Sequence, residues 1–353
     1  MLKGMELDEM AVEVQRQLAT KKDYITDTRH LRMSSSGQLD LYIGGNYIPM
    51  TVGTHAHAQI ADRLQIPKKY YDVMLEEQPD LLADNVNTWL QEKPETRLIR
   101  TLGGQARAFL SNAYRRLDNW DFLEAVLPCI MEKDHKIVSC NVTEDRLYLK
   151  VIFPELSRDI TESVRINDIV KGGLEISNSE IGAGSICIRP FLYYLWCKNG
   201  ESRDAVMKKY HTGKKTAVNE AVELVLTDKT KQLEDAAVWS SVQDIIRASI
   251  SQDLFNKEVD KSVIATKDKI TADPAQVVES FRKDMGFSDT VGGTILQNLI
   301  KGADLSRYGL ANAFTASANV QKNYTLATQL ERAGGKIIEL PKSAWTNLGP
   351  IAA

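Results

Sequence analysis

Residues 97–116 read RLIRTLGGQARAFLSNAYRR, with five arginines (Arg97, Arg100, Arg107, Arg115 and Arg116) and no acidic residue. Guanidinium groups pair with phosphates in a fixed fork geometry, and the interleaved Phe109 and Tyr114 offer ring faces on which bases can stack. Phosphate pairing plus stacking is how single-stranded nucleic acid is held without reading its sequence. A second cluster, Lys208, Lys209, His211, Lys214 and Lys215, surrounds Tyr210 and Gly213 and could track a phosphate backbone. Charge runs are also commonly solvated faces, so the arginines could instead pair with acids such as Asp118 or Glu124. Two basic clusters in a chain of net charge −3 point to local patches, because the overall balance exerts no pull on nucleic acid.

Other chemistries find fewer residues. His55 and His57, with Asp62 or Asp40, would begin a metal site for a nuclease, but no further ligands stand at helical spacing. His30, His135 and His211 stand alone in the sequence. Gly103-Gly104 and Gly182-Ala183-Gly184 are not followed by Lys-Ser/Thr and form no GxGxxG, which disfavours a phosphate loop. There is no Gly-x-Ser-x-Gly elbow and no cysteine with a local histidine partner. The acidic pairs Glu76-Glu77 and Glu144-Asp145 read as solvated helix surface and turn. The expectation is a non-catalytic protein without metal or cofactor.

Hydrophobic residues make up 43% of the 353 and charged residues 26%, the usage of an ordinary globular chain with a sizeable core. Cys129, Cys140, Cys187 and Cys197 fit neither zinc spacing nor a secreted disulfide framework, and read as reduced thiols. The first residues, MLKGMELDEM, carry acids where a secretory signal needs an apolar run, and no later stretch is long and apolar enough to span a membrane. A cytoplasmic location without membrane attachment is expected.

The elements that must position these groups follow from periodicity. Residues 7–18 have the spacing of a short helix. Residues 39–52 predict a hairpin turning at Gly44-Gly45-Asn46. Residues 57–90 predict three short helices, the later two opened by Pro67 and Pro79. Two strands around Gly103-Gly104 fill 98–110, a helix 120–131, and a hairpin turning at Glu144-Asp145 fills 137–152. Residues 164–195 combine glycines with β-formers. Beyond Gly213 helical spacing runs over 218–226, 233–250, 274–285 and 288–301, with Asp273-Pro274 as N-cap and first helical residue. The fold class is α+β: a β-rich core with helices packed on one face over residues 1–215, then a mainly helical region over 216–353.

Several blocks together carry a resemblance. They are 57–85 with Tyr70-Tyr71, then Arg107-Ala-Phe-Leu-Ser-Asn-Ala-Tyr-Arg-Arg-Leu-Asp-Asn119, then Gly173-Leu-Glu-Ile-Ser-Asn-Ser-Glu-Ile-Gly182, then 196–200 and 308–315. Over roughly residues 55–340 the chain resembles the phage/plasmid-like protein family filed as domain of unknown function 932, which is more loosely similar to Rad52-type single-strand annealing proteins. The resemblance implies a non-catalytic protein that binds and anneals single-stranded DNA in phage or plasmid recombination. It further implies a homo-oligomer, a ring being one form, with the strand in a basic groove that Arg100, Arg107, Tyr114, Arg115 and Arg116 would line. The aromatic run 191–196 departs from the family pattern and favours packing or an inter-subunit surface over phosphate contact. The alternative reading is a structural or regulatory oligomeric protein of a mobile element, without DNA binding.

Overall fold

The computed structural model describes residues 1–160, 163, 168–195, 197–211 and 228–346. Along the chain come α1 (Leu7–Thr20), β1 (Lys21–Asp27), β2 (Leu31–Met33), β3 (Leu39–Ile43), β4 (Asn46–Val52), α2 (Thr54–Arg63), α3 (Lys68–Glu77), α4 (Pro79–Glu92), β5 (Thr96–Leu102) and β6 (Gln105–Ser111). Then follow α5 (Asn119–Met131), β7 (Lys136–Val142), β8 (Leu147–Asp159), β9 (Ile169–Asn178), β10 (Ile186–Tyr194), β11 (Asn199–Ser202) and β12 (Met207–Lys209). The chain continues with α6 (Asp228–Ser249), α7 (Gln252–Lys267), α8 (Pro274–Asp284), α9 (Asp289–Gly302), α10 (Arg307–Ala318), α11 (Tyr324–Glu339) and α12 (Lys342–Thr346). The architecture is α+β. No helix among the described residues is long and apolar enough to cross a membrane.

Local chemistry sets the boundaries. Glu6 and Glu9 form a capping box at α1, whose buried Met10, Val14 and Gln17 lie on one face. Pro79 occupies the first turn of α4, where its missing N–H costs nothing. Helices α7 to α11 all begin on a side-chain acceptor, from Ser251, Asp273, Ser288, Ser306 and Asn323 in turn, each satisfying an otherwise orphaned N–H.

The strands divide between two sheets, where periodicity alone suggested a single β-rich core. The first runs β1-β5-β6-β4-β3-β2, antiparallel except for a short parallel contact between β4 and β6. Helices α2 to α4 cover it, enclosing Leu31, Leu41, Met50, Ile60, Tyr71, Val86 and Ile99. The second runs β11-β10-β9-β8-β7, with β12 beside β11 on β10. Residues 147–153 of β8 are buried without a break, as happens when both faces of a sheet are covered. One continuous core joins this sheet to α1, α5 and the helices beyond 228, from Met10 to Trp345. The expected boundary at 215/216 and the helix expected over 218–226 lie outside the described residues.

That second core contains charge. Lys150 of β8 meets Glu331 and Thr328 of α11, Glu175 of β9 meets Arg332 of α11, and Arg203 meets Glu201 at 2.7 Å. Burial works against the charged form of Glu175, but Arg332, Lys150 and Ser202 outweigh it and bring its pKa down to about 2. A carboxylate held below its unfolded value contributes stability that is complete above that value and is lost as pH falls toward the folded one. Denaturant titrations should therefore show up to roughly 3 kcal/mol disappearing from this group between about pH 4.5 and pH 2. Glu175→Gln should flatten the slope in that window; an unchanged slope would assign the acid sensitivity to other carboxylates.

Candidate functional site

The two sheets meet where β5 and β6 of the first face the end of β9 and the turn 179–184 of the second. Arg100 sits on β5 directly opposite Asp23 of β1 and is fully buried. Its Nε donates to Asp23 at 2.9 Å, Nη2 to Asp118 at 2.7 Å, and Nη1 to the Glu180 carbonyl at 2.9 Å. Lys21 adds a second ion pair to Asp118. Burial opposes the charge on Asp118, but Arg100 and Lys21 outweigh it and hold its carboxyl below the ordinary range.

Arg107 is the extra residue of a β-bulge. Thr101 pairs with Ala106 and Arg100 with Ala108, so Arg107 has no partner across the ladder. Bulges re-aim side chains, and this one turns Arg107 to the Glu180 carboxylate, which also accepts the Asn119 N–H at 2.7 Å. Arg97 pairs with Glu95 and lies over the Phe109 ring, 5.7 Å from its centroid. Arg115 pairs with Glu234 and with Asp235 at 2.6 Å. Arg116 is 46% exposed, with Asp23 at 3.6 Å.

The rings expected as stacking platforms are placed otherwise. Phe109 belongs to the first core, because the bulge turns it inward beneath α2, and Gln59 accepts its backbone N–H at 2.7 Å. Tyr114 is stacked on His211, 5.1 Å away and 9° from parallel. Its hydroxyl donates to the Ser179 carbonyl and accepts from the Gly182 N–H, both at 3.1 Å. In this conformation neither ring is open to a base. Asp118 is the acid that receives Arg100, whereas Glu124 lies exposed.

The two basic clusters are nonetheless brought together. The Arg115 N–H donates to the His211 carbonyl at 2.7 Å, and His211 Nδ1 lies 3.2 Å from the Arg115 carbonyl. Its Nε2 lies 3.0 Å from Asn178 Oδ1. Burial pulls the His211 pKa down to about 4, so the neutral ring donates to one of these acceptors at a time. Beside this link lies a cavity of about 270 Å³ lined by Arg115, Lys209, Tyr210, Glu234 and Asp235. Lys208 is exposed and Tyr210 is 62% exposed. Lys214 and Lys215 lie outside the described residues.

His57 is buried with Nδ1 2.8 Å from the Tyr71 hydroxyl, and His55 Nε2 lies 3.1 Å from the Ile181 carbonyl. No group of three or more potential metal ligands occurs among the described residues. Gly103 and Gly104, with φ of +57° and +85°, make the turn between β5 and β6. Asp23, Glu180, Asn178 and Gln59 are site residues that sequence reasoning missed as partners. Glu180 stood inside the Asn-Ser-Glu block, which was its one signal.

No protein-family model, no curated protein and no solved structure matches the chain.

Removing Arg100 deprives the buried Asp118 and the partly buried Asp23 of a shared partner. Arg100→Met is expected to cost roughly 3–5 kcal/mol in denaturant unfolding. Arg116→Ala, at a half-exposed site, should stay within about 0.5 kcal/mol of wild type. Equal losses in both would show that burial does not govern the contribution of these arginines.

Proposed function

We propose that the chain binds single-stranded DNA without catalysis, as an annealing protein, through the surface around the cavity that Arg115, Lys209 and Tyr210 line, with Arg116 and Lys208 as their sequence neighbours. The observation that carries this reading is the link between Arg115 and His211, which unites clusters through residues 96 apart in sequence. Arg116, Lys208 and Lys209 would contact phosphates, and the exposed Tyr210 ring would take a base, a contact indifferent to sequence. Arg97, Arg100 and Arg107 would act as supports, since their charges are engaged by acids of their own chain. Homo-oligomerisation, as annealing on a ring would need, belongs to the same proposal.

A second reading, an oligomeric interaction protein without DNA binding, draws support from an apolar cleft of about 550 Å³ between α1 and α5. Its wall includes Ala11, Val14, Trp120, Leu123, Leu127 and the exposed Met131.

Fluorescence anisotropy with labelled single-stranded and duplex oligonucleotides across a salt series separates the two. Preferential single-strand binding is expected, weakening as salt rises. The triple variant Arg116→Ala/Lys208→Ala/Lys209→Ala should flatten the log–log salt slope by roughly 2. Tyr210→Ala should lose roughly 1–3 kcal/mol of affinity with little change in slope. A folded wild type that binds neither oligonucleotide at low salt would overturn the proposal and favour the interaction reading.

A further inference from the structure

Two of the sequence blocks that suggested a family, Cys197-Lys198-Asn199-Gly200 and residues 308–315, take no part in the surface just described, yet they meet. Between α9, α10 and the turn leading into β11 lies a cavity of about 360 Å³, with Asn199, Asn298, Lys301, Asp304, Asn312 and Asn319 in its wall. These positions come from three separate parts of the chain.

Asn319 Nδ2 donates to Asn199 Oδ1 at 2.8 Å, and Asn298 Nδ2 donates to Ser317 Oγ at 2.9 Å. Asn312 Oδ1 and Asp304 Oδ1 are both buried without a partner among the described residues. Asp304 is 5% exposed and Asn312 8%. No described cation forms an ion pair with Asp304, in contrast to Glu175, Glu201 and Glu331 of the neighbouring core. A buried acceptor without a donor costs about 1–3 kcal/mol, and native interiors keep few of them.

The backbone beside the cavity is also unusual. Lys198 and Ala303 have φ of +54° and +52°, a left-handed conformation that penalises side chains other than glycine. Such positions persist where the surroundings over-determine them, and they cluster at ligand sites. The volume suits a small organic molecule and far exceeds the space a bare ion needs.

We propose that this cavity binds a free α-amino acid. Its ammonium group, with three N–H donors, would meet Asp304 and the Asn312 side-chain oxygen. Its carboxylate would meet the Lys301 ammonium on the same wall. The site is independent of the nucleic-acid surface, and its success or failure leaves that reading untouched.

Isothermal titration calorimetry of the full chain with each common L-amino acid tests this, with ethylamine and acetate as controls that each carry one of the two charged groups. Saturable binding of at least one amino acid is expected, with both controls much weaker. Asp304→Asn should weaken that binding by at least roughly tenfold, as expected for one charge-assisted contact. Lys301→Ala, at an exposed position, should weaken it as well while the protein stays folded. Should Asp304→Asn fail to fold, Lys301→Ala and the two controls carry the comparison. The proposal is overturned by a folded wild type that binds no amino acid, by binding unchanged in the variants, or by ethylamine binding as well as the best amino acid.

Discussion

One guanidinium, removed from water, decides how the halves of this molecule fit together. Arg100 spends its donors on three segments: Asp23 in its own sheet, Asp118 ahead of α5, and the carbonyl of Glu180 beyond β9. A buried charge is tolerable only when its partners are all in place, so the burial of Arg100 presupposes both sheets and the loop between them. The surrounding groups repeat this requirement. Glu180 is shared between Arg107 and the Asn119 N–H, and Asn178 donates to the Leu117 carbonyl and to Asn119. The position of Arg115, and through its link to His211 the meeting of the basic clusters, follows from this packing.

The second sheet solves a similar problem by other means. Its buried Glu175, Glu201 and Glu331 each find a basic partner, and the buried Asp168 accepts the Tyr308 hydroxyl at 2.8 Å. Against that background Asp304 stands out by contrast. The protein can satisfy buried acids, and in the wall of the α9–α10 cavity it leaves one without a cation.

What could be read from the sequence was local. Pro67, Pro79, Asp273 and the glycine pair at 103 and 104 announce helix starts and a hairpin turn, because each acts through its own backbone. The helix α7 was missed although Ser251 caps it. Its buried Glu258 and Ser262 break the apolar stripe in order to meet Arg203. The direction of the arginines was not legible either. Asp23 lies 77 residues from Arg100 and Glu180 73 residues from Arg107, so spacing shows that charge is present and leaves open whether it faces solvent or an acid. Asp118, close in sequence, was within reach of that reasoning. The partition of strands into two sheets depends on pairings such as β1 with β5, which no local pattern encodes.

The bulge at Arg107 gives β6 a double allegiance. Ala106 and Phe109 belong to the core beneath α2 to α4, while Ala108 and Leu110 belong to a small cluster with Ile181 of the second sheet. The strand is thus read in two frames, with Arg107 as the spacer between them. Side chains along it could drift over generations within the size each core allows. Its length could not: losing a paired residue, or adding one elsewhere in the strand, would exchange the two sets over part of its length, and losing Arg107 itself would keep the sets but close the bulge and remove the partner of Glu180. In an inherited gene this segment should be among the least forgiving of insertion and deletion, even where it forgives substitution.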